Sequence, residues 1–208
     1  YMSNIDKYAK VVDEILRSKD TVREYLIRVS RDIIRNSGLA VTYIHLGRIK
    51  DAEELIGNVR ALINELEEKL REHPELKHSN LYLSALSEYV EAVQLLSVVT
   101  YGCIKSLDEL NVHYLSYVQG LLDLIGELKR YILSLIRLND VEKAWTYFNI
   151  ANDIYESFKG LDYPEALIPG VRHKVDVARR LLEDLRAFLV DVELRIRLIN
   201  LLKAGEAH

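Results

Sequence analysis

Apolar residues recur every three or four positions along almost the whole chain, the spacing that lines one side of an α-helix. Ile5, Tyr8, Val12 and Ile15 predict a first short helix ending near Ser18. Asp20 is placed to cap a second, which carries Val22, Leu26, Val29 and Ile33 and runs toward His45. Beyond Gly47, the series Ala52, Leu55, Val59, Leu62, Leu66 and Leu70 alternates steps of three and four, a seam-like stripe. Pro74 stops it, and His73–Ser79 reads as a loop. Asn80–Lys105 and Val112–Leu138 read as two long apolar helices, separated by a segment beginning at Ser106. Asn139–Asp140 can cap a helix bearing Ala144, Phe148, Ala151, Tyr155 and Phe158. Gly160–Gly170 is the clearest break, and Pro169 is placed to open the last helix, through Val171, Val175, Ala178, Leu182, Leu185, Leu189 and Val192. No alternating strand pattern and no internal repeat interrupts this. The expectation is an all-α fold of about seven helices, a single-domain bundle over residues 2–208, with Tyr1 an extraneous residue ahead of Met2.

Composition agrees and excludes alternatives. With 208 residues, 49% hydrophobic and 29% charged, the chain can bury a core and is not of a disordered class. Nine Gly and three Pro are too few for a many-stranded β fold. The single cysteine, Cys103, excludes a disulfide framework and lies in an apolar stretch that predicts a buried thiol. The longest charge-free runs, Ala92–Ile104 and Leu110–Leu122, are too short for a membrane span. With no signal-peptide pattern at the start, the expectation is a soluble cytoplasmic protein without a membrane partner. A net charge of −4 gives no prior for nucleic acid, whose binders are usually basic.

The local distribution of charge changes that picture. From Leu81 to Ile104 the only charged residues are Glu88 and Glu91, and from Val112 to Leu128 only Asp123 and Glu127. Helical geometry sets the first pair about 60° apart around the axis and the second about 40°, so each pair shares a face. Ser84, Ser87 and Gln94 extend one stripe, and Ser116, Gly120 and Arg130 the other. Grouped carboxylates on apolar helices are costly unless a positive charge joins them, and neither helix supplies one at the same level apart from Arg130. An oxygen-only donor set without clustered His or Cys suits Mg²⁺, or Mn²⁺, better than zinc. The alternative is two solvated stripes facing a groove or the Lys and Arg of a partner. A ferritin-like di-iron site needs paired Glu-x-x-His units, and the only such string, Glu75 to His78, falls in the loop after Pro74.

Arg28, Arg31 and Arg35 share a helical face that suits either phosphate contact or pairing with acids such as Glu24 and Asp32. Arg172, His173, Lys174, Arg179 and Arg180 form a second basic cluster with the same two readings. No P-loop, nucleophile elbow or dinucleotide fingerprint is present.

Several strings resemble the translin family, and within it the branch of translin-associated factor X (Trax). They are Val29–Ser37 leading to His45-Leu-Gly-Arg48, then Ser87-Glu-Tyr-Val-Glu-Ala92, then Tyr117–Arg130 with its Asp-Leu-Ile-Gly-Glu-Leu core, and Gly170–Asp176. The resemblance runs through nearly the whole chain in order. It implies a seven-helix subunit, closed octamers that bind RNA or single-stranded DNA, and, for the Trax branch, Mg²⁺-dependent endoribonuclease activity. It carries the branch's acidic set onto Glu88, Glu91, Asp123 and Glu127, as metal ligands and catalytic groups acting on single-stranded RNA. Arg31, Arg35, Lys129 and Arg130 would then hold flanking phosphates. The chain lacks the basic leader and the long insertion of eukaryotic Trax, so the resemblance implies a compact prokaryotic or archaeal type, expected to form a homo-oligomer. The non-catalytic alternative is an RNA- or DNA-binding oligomer of translin type.

Overall fold

The computed structural model describes residues 2–205 and contains, among them, seven α-helices and no strand. They are α1 (Met2–His45), α2 (Ile49–Lys69), α3 (Asn80–Tyr101), α4 (Leu107–Leu110), α5 (Tyr114–Arg137), α6 (Val141–Phe158) and α7 (Val171–Gly205). The expected loop after Pro74 contains a 3-10 turn, Pro74–His78.

The expected break near Ser18 is absent, because no Gly or Pro interrupts the helix there. Thr21 donates its hydroxyl to the Arg17 carbonyl at 2.9 Å, and Asp13 pairs with Arg17 one turn away, so Asp20 lies within α1 and caps nothing. The merger removes one helix, and the short α4 restores the number. Ser106 and Glu109 close a reciprocal capping box around α4, and the hydrogen bonds that Ser106 gives to the Glu109 carboxylate, its backbone N–H first, draw that carboxyl below its ordinary pKa.

Two helix ends use the same device. Gly47 (φ +73) donates to the Ile44 carbonyl and Arg48 to the Tyr43 carbonyl, which closes α1 in a Schellman turn. Asn139 (φ +59) and Asp140 repeat these bonds to Ile136 and Leu135 at the end of α5. The Asn139–Asp140 pair thus divides its work, since Asp140 also accepts the Lys143 amide as N-cap of α6. Pro169 does not open the last helix. Gly170 (φ +74) follows it with its amide on the Glu165 carboxylate, and α7 starts at Val171.

The chain divides into two compact units, Tyr1–Tyr117 and Val118–His208. The boundary falls inside α5, so no linker in the sequence announces it. In the first unit α1 packs on α2 and α3. The core draws Val22, Leu26, Val29 and Ile33 from α1, Val59, Ile63 and Leu66 from α2, and Leu86, Val90 and Val93 from α3. In the second unit α6 packs on α7, and Phe148, Ala151, Leu182, Leu185 and Leu189 are buried. Both long helices outrun their packing. Every described side chain from Asn4 to Ser18 is exposed, including Ile5, Tyr8, Val12 and Ile15, and α7 exposes Leu194, Leu198, Leu201 and Leu202.

Candidate metal centre and nucleic-acid interface

The two carboxylate pairs fall where helical spacing put them, one turn apart on α3 and on α5. All four side chains are half-buried. Around Glu88 and Glu91 the helix is apolar and closely packed, with Tyr89, Val90 and Ala92 buried beside them. Burial raises the Tyr89 phenol above its ordinary pKa, opposed by the Arg60 guanidinium 6.0 Å from the ring centroid.

Three of the residues expected to extend these stripes serve the backbone instead. Gln94 is fully buried, and its amide closes two 2.8 Å bonds on the Lys105 backbone, one to the carbonyl and one from the N–H. Ser87 and Ser116 are buried and both donate to the Leu83 carbonyl, at 3.1 and 2.8 Å. Buried polar groups need partners, and the nearest were main-chain atoms. Cys103 also departs from expectation. Gly102 (φ +70) ends α3, so Cys103 lies past the apolar run and is exposed, with its carbonyl accepting the Ser97 hydroxyl.

In the second unit Asp123 has a cation that neither apolar helix provides. Lys174, in the first turns of α7, places its ammonium on both oxygens of the Asp123 carboxylate. Each side chain retains 31% exposure. The pair opens onto a cleft of about 330 Å³ lined by Leu122, Ile125, Gly126, Val177 and Leu181, with His173 at its edge. Glu127 is 24% exposed and lies 3.8 Å from Arg130, a loose contact one turn along.

The basic cluster at the start of α7 therefore disperses. Arg172 goes to Asp162 at 2.9 Å and Arg179 to Glu183 at 3.3 Å, while Lys174 alone turns inward. A signal for this exists in the sequence. Lys174 stands three residues after Val171 and four before Ala178, on the apolar face of its helix, where a lysine needs an acid. The other basic candidates lie at the surface, Lys129 excepted. Arg31 is exposed, Arg35 pairs with Asp32 at 2.8 Å, Arg28 stacks over Tyr25, Arg130 is exposed, and Lys129 is half-buried.

Among the described residues no group of three or more His, Cys, Asp or Glu side chains is gathered to hold a metal ion. The donor chemistry still fits a hard cation. Mg²⁺ is commonly held by one or two carboxylates, with water and substrate phosphate completing its shell. Asp123 already holds one positive charge, the ammonium of Lys174, across both its oxygens. No described helix is long and apolar enough to cross a membrane.

Taken together, these features define an all-α helical subunit with paired carboxylates on two of its helices. The sequence profile of the translin family matches residues 10–195, and the chain belongs to that family. Its relatives include the uncharacterized protein MJ0175 of Methanocaldococcus jannaschii, 30% identical over 189 residues, covering 86% of this chain and 82% of that one. Among solved structures, AfC3PO is similar with a TM-score of 0.81 and 26% identity, covering 92% of this chain and 98% of its own. AfC3PO in complex with duplex RNA gives 0.81 and 25%, with 92% and 97% covered. Apo-NeC3PO, at 20% identity and a TM-score of 0.75 over 91% of this chain and 97% of its own, shares the fold.

Proposed function

We propose that this chain is a Trax-like, catalytic member of the translin family: a Mg²⁺-dependent endoribonuclease that cuts single-stranded RNA or unpaired regions. The observation that carries the reading is the retention of two half-buried carboxylate pairs, Glu88 with Glu91 and Asp123 with Glu127, as the only charges on two otherwise apolar helical stretches. Placing carboxylates on half-buried apolar helices costs free energy, and a divalent cation shared between them would offset it beyond what their protein partners supply. A relative that holds duplex RNA supports nucleic acid as the ligand.

In this reading Glu88, Glu91, Asp123 and Glu127 hold the Mg²⁺, with Mn²⁺ an acceptable substitute. The ion, when bound, supplies Lewis acidity that eases deprotonation of water and offsets charge on the scissile phosphate. Glu127 or Glu91 accepts the proton of the attacking water. Arg31, Arg35, Lys129 and Arg130 hold flanking phosphates, which demands that Arg35 leave Asp32, a surface pair that costs little to break, and that Arg130 leave its loose 3.8 Å contact with the half-buried Glu127. Assembly into a closed homo-oligomer, an octamer by analogy with the family, is supported by the bare apolar stripes of α1 and α7.

The test is cleavage of labelled single-stranded and duplex RNA with Mg²⁺, Mn²⁺ or EDTA, scoring retention on RNA in the same samples. Glu88→Ala and Asp123→Ala should each abolish metal-dependent cleavage while leaving the oligomer and RNA retention intact. Full activity in both variants would falsify the site. The second reading is a non-catalytic RNA- or single-stranded-DNA-binding oligomer, favoured by the Asp123 carboxylate being already engaged by Lys174. It would give retention that weakens steeply with salt and no products with any ion.

A further inference from the structure

We propose that Lys174 keeps the cation's place at Asp123: its ammonium neutralises the carboxylate in the ion-free protein and must withdraw before a divalent ion can use that ligand. Lys174 thereby sets the affinity of the site for the ion. The inference rests on the metal-dependent reading above and concerns a residue which that reading leaves without a role.

Three observations carry it. The ammonium lies on both oxygens of Asp123, so a divalent ion approaching that carboxylate meets a positive charge already in place and competes with it. Both partners are two-thirds buried, which weakens screening by water and makes the competition count. The lysine also has somewhere to go. The pair itself lines a cleft of about 330 Å³ whose other walls are apolar apart from His173, and Gly126 leaves it open, since a Cβ there would meet no atom within 4 Å. A four-carbon stem can lie along such a wall with its ammonium in water.

The backbone beneath the lysine is fastened, so any motion belongs to the stem. The Lys174 amide donates to the Gly170 carbonyl at 3.1 Å, Gly170 donates to Glu165 at 2.6 Å, and Gln119 donates to the Pro169 carbonyl at 2.7 Å. These bonds hold Lys174 Cα in register with Asp123 whether or not the ion pair is made. The withdrawn ammonium would also lie beside the site as a further positive charge for an anionic substrate.

The experiment titrates Mn²⁺ into the full-length protein and reads free Mn²⁺ by electron paramagnetic resonance, with thermal melting in EDTA alongside. Lys174→Met keeps the stem and removes the charge. It should bind Mn²⁺ roughly tenfold more tightly than the parent, because the ion no longer shares the carboxylate with a positive charge at contact distance. It should also melt lower in EDTA and recover when Mn²⁺ is added. Lys174→Arg, which keeps the charge, should bind Mn²⁺ as the parent does, and Asp123→Asn combined with Lys174→Met should lose the gain. Equal or weaker Mn²⁺ binding by a folded Lys174→Met would overturn the place-keeping role and leave the metal reading standing. No Mn²⁺ binding by the parent or by any variant would overturn both.

Discussion

Along α3, burial runs nearly the whole way round from Tyr82 to Val98, whereas α5 beyond Gly120 alternates buried Leu124, Leu128 and Ile132 with exposed Gly126, Arg130 and Leu133. The two helices carry the same charge signature, two acids a turn apart in a long apolar run. They nevertheless differ in how much surface remains open. Sparse charge therefore reports that a helix is apolar, and the pattern of small and basic residues around the acids reports which side stays open. On α5 that open side is where a cation from another helix arrives.

The largest effect should separate the two helices outright. Leu95→Ala, at a fully buried position of α3, should cost about 2–5 kcal/mol in urea denaturation, and Leu133→Ala, 39% exposed on α5, about 0.5 kcal/mol. Comparable losses would mean that the Leu133 face is covered in the assembled protein. A smaller effect compares the buried polar groups. Gln94→Ala strands both the Lys105 N–H and its carbonyl and should cost about 1–3 kcal/mol, while Ser116→Ala removes one donor from a carbonyl that Ser87 still satisfies and should cost about 1 kcal/mol at most. If Ser116→Ala proves the worse variant, the Leu83 carbonyl depends on α5 rather than on its own helix.

The smallest effect is pH-dependent and lies at the entry to α5. His113 accepts the Leu115 amide on Nδ1, and burial, with the His78 charge as a lesser cause, holds its pKa below the ordinary 6.5. The unfolded chain therefore takes up the proton first. Stability from this group is complete above about 6.5 and is lost as the pH falls toward the folded pKa. A protonated Nδ1 also cannot accept the amide. His113→Asn should flatten this part of the stability–pH curve, measured by thermal melting between pH 5 and 8, and an unchanged slope would remove His113 as its source.

Most helices were legible because their apolar positions repeat with the helical period, as in Val59, Ile63 and Leu66 or Ala144, Phe148 and Ala151. The boundaries that failed did so for local reasons. Ser18 and Asp20 resemble a stop and a cap, but a helix continues through polar residues when nothing sterically ends it. Pro169 looks like a helix start, yet the left-handed Gly170 that follows delays the first turn. The acids of the candidate site were visible as isolated charges. Lys174 was hidden, since its partner is 51 residues away and its neighbours in sequence, Arg172 and His173, are exposed. Charge pairing across that separation is a property of tertiary packing, and the only trace it leaves in sequence is a lysine on the wrong face.

The continuity of α1 has a consequence for how that helix forms. A segment as short as Asn4–Ser18 is marginal alone in water, because the first turn must fix several residues for one hydrogen bond. In this chain the turn from Val22 onward is already packed, and Ser18 and Lys19 are tied to His73 and Glu75. This outer segment therefore inherits its nucleus and need only propagate. In the unassembled subunit its amides should unzip from the Asn4 side, with hydrogen-exchange protection declining residue by residue from Val22 toward Asn4 rather than in one cooperative step.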